Sequence, residues 1–128
     1  MKNLPTLFLL LVSALNLGMS QSAAAEEIKL SHRGLTLNGN LVLAEGKTIA
    51  DGVILIAHSL IQHNGREPIP YVQELFQEQG YSSLAINYSL EIDDRHGSFD
   101  CQAPHRYTLE NSLAEIGVWI EWIKQQGA

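Results

Sequence analysis

A histidine and a serine stand at the end of a strongly apolar stretch, in the segment "VILIAHSL" at residues 53–60. Imidazole can move protons near neutral pH, and a serine hydroxyl can act as a nucleophile. Adjacent side chains at a strand end point in different directions, so His58 and Ser59 are not expected to form a local catalytic pair. Two interpretations of His58 stay open: a structural hydrogen bond to its own loop, or a direct part in chemistry.

A second group of polar residues follows the next apolar stretch, "SSLAI". The chain continues after this stretch as a long connection over residues 88–107, "YSLEIDDRHGSFDCQAPHRY". This connection has no helical or strand periodicity. Connections of this length are unusual in compact domains and are often functional. Its polar residues either line a substrate entrance or form a solvated loop. The candidates are Asn87, Asp93, Asp94, Arg95 and His96.

The histidines and aspartates of the chain also invite a metal-site hypothesis. Zinc sites usually show tight paired spacings such as His-x3-His, and calcium loops show alternate oxygen ligands around a glycine. The residues here match neither pattern, so we predict no metal and no cofactor. They are His32, His58, His63, His96, His105, Asp93, Asp94 and Asp100.

The secondary-structure elements that position these residues can be predicted from the pattern of apolar and polar residues. Apolar and polar residues alternate in two runs, which predicts two half-buried antiparallel strands with turns near Arg33-Gly34 and Asn38-Gly39. The apolar positions are Ile28 and Leu30, then Leu35, Leu37, Leu41 and Leu43. The following segment, "VILIA", is apolar at every position, as is typical of a strand covered on both faces by helices.

A helix is predicted after this strand, with Pro68 and Pro70 in its first turn and Gly80 at its end. Its apolar stripe is Ile69, Val72, Leu75 and Phe76. The segment "SSLAIN" is then the next buried strand. Strand, helix and strand have the lengths of a right-handed parallel crossover, so the predicted fold class is α/β. His58, Ser59, Leu60 and Asn87 are then expected beyond the carboxyl ends of the strands, where ligands of open parallel sheets bind.

A last helix is predicted from the N-cap Thr108 to Gln126. Its predicted buried stripe has helical spacing, and Trp119 and Trp122, which flank that stripe, are interpreted as packing residues. The stripe consists of Leu109, Leu113, Ile116, Ile120 and Ile123.

The first 25 residues have the layout of a secretory signal peptide, with Lys2, an apolar run and small residues before Glu26. We therefore expect a leader over residues 1–25, a soluble chain over 26–128, a periplasmic or secreted location and no stable membrane anchor. Loss of Lys2 leaves seven basic residues against fourteen acidic ones. A nucleic-acid partner is not expected, because phosphate binding depends on clustered Lys and Arg.

Cys101 is the single cysteine of the chain. A disulfide within the chain is therefore impossible. Two interpretations stay open: a buried free thiol, or a disulfide with a partner outside this chain.

Several of these features together resemble the α/β-hydrolase superfamily: the antiparallel start, the strand "VILIAH", the helix closing at "QEQGY", the strand "SSLAIN" and the helix "LENSLAEIGVWIEWIKQQG". The resemblance implies that Leu60 donates a backbone N–H to an oxyanion hole, with His58 and Ser59 shaping the loop. Ser59 stands where the family usually has Gly. Asn87 stands where many members have Asp, and "YSLEIDDRHG" replaces a glycine-rich turn.

The family's nucleophile motif, Gly-x-Ser-x-Gly, occurs nowhere in the 128 residues. The resemblance therefore implies the first half of the fold, truncated before the nucleophile strand, with no catalytic residue in this chain and no activity of the chain alone. In the complete protein it implies hydrolysis of a small-molecule ester or amide by a serine nucleophile. The alternative is a non-enzymatic exported binding module on the same half-fold.

The strand "VILIAH" pairs with the nucleophile strand in the family, so the resemblance also implies that it lies here at a sheet edge. An exposed apolar edge favours association. We expect a poorly stable monomer that self-associates through this edge.

Overall fold

The computed structural model describes residues 24–59, 61–104 and 106–128. The predicted leader lies almost wholly outside these ranges, as do Leu60 and His105. The strands are β1 (Glu26–His32), β2 (Leu35–Val42), β3 (Val53–Ile56) and β4 (Ser82–Ile86), and the helices are α1 (Ile69–Glu78) and α2 (Leu109–Gln125). Neither described helix is long and apolar enough to cross a membrane.

The strands form one mixed sheet in the order β1, β2, β4, β3. The pairs β1/β2 and β2/β4 are antiparallel, whereas β3 and β4 are parallel and are joined through α1. The predicted antiparallel start and parallel crossover are therefore confirmed. A helix covers each face of the sheet, which is the α/β arrangement that the sequence predicts.

One predicted turn is correct and the other is wrong. Arg33 and Gly34 both have positive φ, 51° and 79°, and reverse the chain between β1 and β2. Asn38 and Gly39 instead lie inside β2, which continues to Val42. A Cβ at position 39 would come within 3.1 Å of the Trp119 ring. Glycine thus serves here for close packing of α2 on the sheet, and not for a turn.

The strand β3 lies at the edge of the sheet, paired only with β4 among the described strands. Its four residues are all half-buried, whereas every residue of β4 is buried. The edge position implied by the resemblance is confirmed. All four side chains of β3 are apolar, although the sheet buries each of them only in part.

The helix α1 ends as predicted but faces the sheet differently. Gly80 has φ 81°, and the Tyr81 N–H returns to the Phe76 carbonyl, as in a glycine-terminated helix end. Leu75, predicted to be buried, is exposed, and the buried residue is Gln73. The Gln73 amide donates to the Asn40 carbonyl at 3.0 Å and to Ser83 Oγ at 3.2 Å, which fixes the rotation of the helix.

The helix α2 starts at its predicted cap, since the Thr108 side chain accepts from the Asn111 N–H. The predicted apolar stripe is wrong, because three of its five residues are exposed; these are Leu109, Leu113 and Ile120. Ser112, Glu115 and Trp119 form the buried face instead. Trp119 is fully buried in the core with the side chains of β2 and β4, as predicted for a packing residue. That core includes Leu37, Leu41, Leu84 and Ile86.

Candidate functional site

His58 and Asn87 meet at one edge of the sheet, beyond the carboxyl ends of the parallel strands β3 and β4. His58 Nε2 lies 2.9 Å from Asn87 Oδ1, and His58 Nδ1 lies 2.7 Å from the Ser59 carbonyl oxygen. The Tyr88 ring contacts the imidazole edge to face, with 5.2 Å between ring centres. Ligands of open parallel sheets bind at this edge, so the sequence analysis and the topology indicate the same place.

Asn87 is 2% exposed and is held from both ends of its amide. Besides His58, its Oδ1 accepts from the Asn64 N–H at 3.2 Å and from Arg95 Nη2 at 3.3 Å. Its Nδ2 donates to Asn38 Oδ1 at 3.0 Å and to the Arg95 carbonyl at 2.8 Å. These five contacts determine which end of the amide faces His58.

Arg95 is the buried cation of this network and is 4% exposed. Its guanidinium donates to the carbonyls of Tyr88, Gly97 and Gln62 at 2.6, 2.7 and 3.0 Å, besides Asn87. Burial is the largest influence on this group and lowers its pKa from the usual arginine value. Arg95 therefore joins the loop after β3 to the connection after β4, through neutral oxygens.

The three remaining candidates of the long connection lie elsewhere. Asp93 accepts from the Thr36 N–H at 2.7 Å, and Asp94 forms an ion pair with Lys29 and accepts from Asn38 Nδ2. His96 Nε2 lies 2.6 Å from Glu27 Oε1. All three contact residues of β1 or β2, so the structure does not bring them to His58.

Among the described residues, Glu27, Asp94 and His96 form a cluster whose ligand atoms lie within 4.8 Å of one another. The Lys29 ammonium pairs with Asp94 and lies 3.5 Å from Glu27. The hydrogen bond to Glu27 raises the pKa of His96, and the same bond lowers the pKa of Glu27. The cluster thus contains its own cation and is a surface ion-pair group.

A cavity of about 440 Å³ opens beside the end of β3. It combines two imidazoles, a guanidinium, a carboxylate and an amide with the backbone of the loop. Burial is the largest influence on His58 and lowers its pKa. The lining residues are Ala57, His58, Ser59, Gln62, His63, Arg66, Glu67, Pro68 and Ile69.

No protein-family model and no curated protein sequence matches this chain. Among solved structures, Est1E from Butyrivibrio proteoclasticus with bound ferulic acid is similar, with a TM-score of 0.60 and 22% identity. An alpha-beta serine hydrolase homologue from Coxiella burnetii is similar with a TM-score of 0.53 and 13% identity. The chain has a partial α/β-hydrolase fold. At these identities the likeness concerns the fold alone.

The α/β-hydrolase likeness covers most of this chain but only part of each similar protein. It covers 76% and 83% of this chain, but only 36% of Est1E and 48% of the Coxiella burnetii protein. The chain thus spans less than half the length of either protein. Leu60, the implied oxyanion donor of this α/β-hydrolase segment, lies outside the described residues, whereas His58 and Ser59 lie at the cavity.

Sequence reasoning missed several polar residues buried in this α/β-hydrolase segment. Asn38 had been assigned to a turn, and Asn64 had no assignment, although its Nδ2 donates to the Ala85 carbonyl at 3.1 Å. Glu115 is buried and accepts from the Ser89 N–H at 2.9 Å and from Ser89 Oγ at 2.5 Å. A polar residue between apolar neighbours of a strand or helix is the signal that could have indicated Asn38 and Glu115.

Cys101 is exposed, so the interpretation as a buried thiol is wrong. Beside it, the Gln102 N–H donates to Asp100 Oδ1 at 2.9 Å, and the Ala103 N–H donates to the Asp100 carbonyl at 3.0 Å. A disulfide with a partner outside this chain stays a prediction.

Proposed function

We propose that this chain is the part of an exported α/β hydrolase that contributes the oxyanion-hole loop. A serine nucleophile outside these 128 residues then attacks the ester or amide bond of a small molecule. The observation that carries the proposal is the end of β3, where His58 Nδ1 lies 2.7 Å from the Ser59 carbonyl oxygen beside a cavity of about 440 Å³. Backbone donors at such a position stabilise a developing oxyanion by about 3 to 4 kcal/mol each.

The chemistry of acyl transfer determines which catalytic groups we assign to this chain and which to the rest of the complete protein. A covalent mechanism needs a nucleophile held against a base. His58 contacts the Ser59 carbonyl and a side-chain amide oxygen, and among the described residues no serine hydroxyl or cysteine thiol hydrogen-bonds to its ring. We therefore assign His58 to the loop and place the nucleophile and its base on other segments of the complete protein.

The proposed substrate is an ester or amide of a carboxylic acid. Est1E binds ferulic acid, which is such an acid. The cavity wall given by this chain contains Arg66 and His63, which can contact a polar acyl group, and Pro68 and Ile69, which can contact an apolar one. Export is proposed from the signal-peptide layout of residues 1–25.

The test is fluorophosphonate labelling of two secreted proteins: this chain, and the product of the full reading frame where that frame extends past residue 128. We expect the longer form alone to be labelled, and we expect a serine-to-alanine change in its Gly-x-Ser-x-Gly motif to abolish labelling. Labelling of neither form would reject the hydrolase proposal and favour a binding module. Labelling of the short chain would reject the assignment of the nucleophile to another segment.

We also propose that the chain, made alone, self-associates. Support comes from the unpaired side of β3 and from the exposed apolar residues of α2. Open strand edges and apolar patches favour association. Sedimentation velocity over a concentration series should show a growing fraction of oligomers, and a monomer at all concentrations would contradict this.

A further inference from the structure

His58 faces two hydrogen-bond acceptors at the same time. Its Nδ1 lies 2.7 Å from the Ser59 carbonyl oxygen, and its Nε2 lies 2.9 Å from Asn87 Oδ1. A neutral imidazole has one N–H and one lone pair, whereas an imidazolium has two N–H groups. The geometry therefore satisfies both acceptors only when His58 is protonated.

Asn87 cannot resolve this conflict by turning its amide. Its Nδ2 already donates to Asn38 Oδ1 and to the Arg95 carbonyl. A turned amide would direct an NH₂ group at the Asn64 N–H and at Arg95 Nη2, which are both donors. Asn87 Oδ1 is therefore a fixed acceptor for His58.

The Ser59 carbonyl is the acceptor that can move. Ser59 is exposed, so water can replace the imidazole as its partner. Neutral His58 then keeps its proton on Nε2 for Asn87, and the lone pair of Nδ1 repels the Ser59 oxygen. Protonation supplies the second N–H and draws that carbonyl onto the ring.

We propose that protonation of His58 sets the position of the Ser59 carbonyl group. The inference rests on the proposed function, in which the loop after β3 serves the oxyanion hole. His58 is thus a proton-dependent positioning residue for the loop.

The charged and titratable groups around His58 determine where the change occurs. Burial lowers the pKa of His58 most, and the charges of Arg95 and His63 lower it further, while the two acceptors raise it. The phenol of Tyr88 contacts the ring, and Arg66 and Glu67 line the same cavity. Because the pKa of His58 is lowered, the ring becomes protonated at a lower pH than an ordinary histidine. The Ser59 carbonyl therefore moves onto the ring at that lower pH and is released as the pH rises.

The experiment uses the full chain with ¹⁵N-labelled histidine and ¹³C-labelled serine carbonyls, followed by NMR between about pH 5 and about pH 8. We expect the Nε2–H tautomer of His58 at the upper end and the doubly protonated ring at the lower end. The Ser59 carbonyl signal should shift with the same midpoint. A neutral Nδ1–H tautomer, or a Ser59 signal that stays constant while His58 titrates, would overturn the proposal.

Two variants separate His58 from its neighbours. In His58→Gln the Ser59 signal should no longer titrate, whereas in the matched control His63→Gln it should still titrate, at a slightly higher pH. If His58→Gln fails to fold, the neutral tautomer of His58 in the unmodified chain still tests the proposal: the Nε2–H tautomer supports it, and the Nδ1–H tautomer rejects it. These readouts do not depend on hydrolysis. A Ser59 signal that titrates with His58, together with no fluorophosphonate labelling of the longer form, would reject the proposed function and retain the role of His58 in positioning the Ser59 carbonyl.

Discussion

Replacement of Arg95 by methionine tests whether the buried guanidinium holds the two strand ends together. Methionine keeps most of the aliphatic volume but removes every donor. The carbonyls of Tyr88, Gly97 and Gln62 then lose the guanidinium donor, whereas Asn87 Oδ1 keeps the Asn64 N–H as a donor. The change therefore isolates the hydrogen bonds from the packing.

The magnitude follows from which acceptors water can reach. Gly97 and Gln62 are half-buried, so their carbonyls can be hydrated after the change. Tyr88 is buried, and its carbonyl oxygen, left without a donor, costs about 1 to 3 kcal/mol. Loss of the other hydrogen bonds to the guanidinium adds about 1 kcal/mol, so we expect the free energy of unfolding to fall by about 2 to 4 kcal/mol, which is a large share of the roughly 5 to 15 kcal/mol typical of a domain.

The assay is urea unfolding followed by the fluorescence of the buried Trp119, at a protein concentration where association is absent. Arg106→Met is the matched control, because Arg106 is exposed, and its effect should stay within about 0.5 kcal/mol. Arg95→Lys should recover part of the loss, since one ammonium can reach only some of the acceptors. A loss below about 1 kcal/mol in Arg95→Met would refute the assigned role of Arg95.

Three further changes test the fold and its charges. Gly39→Ala should destabilise by about 1 to 3 kcal/mol in the same assay, because the added Cβ meets the Trp119 ring; an unchanged urea midpoint would show that α2 adapts. Ile54→Lys on the edge strand should reduce association in sedimentation velocity, and unchanged oligomers would locate the contact elsewhere. His96→Gln should lower the free energy of unfolding by about 0.2 to 1 kcal/mol near pH 6 and by almost nothing near pH 8. The reason is that the Glu27 carboxylate raises the pKa of His96, so the pair stabilises the fold only while the ring is charged. An equal loss at both pH values would exclude this charge effect.

The order of the elements could be predicted from the sequence because it depends on local signals. Alternation, an unbroken apolar run and the terminating Gly80 each act within a few residues. The proximity of His58 to Asn87 followed from the same reasoning, since two parallel neighbouring strands end at one edge. These parts of the fold and of the candidate site needed no knowledge of distant contacts.

The faces of the helices could not be predicted in this way. The apolar pattern predicts a buried Leu113, yet Leu113 is exposed and Glu115 is buried, because Ser89, far away in sequence, donates twice to it. Gln73 replaces Leu75 on the buried face of α1 for a similar reason. A pattern of apolar residues contains no information on which polar groups will find partners, so non-local hydrogen bonds overrule it. The central position of Arg95 was hidden for the same reason.

The side-chain amides beneath α1 give the two faces of the sheet different thermal behaviour. Gln73 and Gln77 both donate to strand or loop carbonyls, whereas Trp119 on the opposite face lies among apolar side chains. Exposure of apolar surface raises the heat capacity, and exposure of polar surface lowers it. Undocking of α1 should therefore change its free energy almost linearly with temperature, while loss of the α2 face follows a curved dependence. Cooling would then weaken the α2 face first and leave α1 on the sheet.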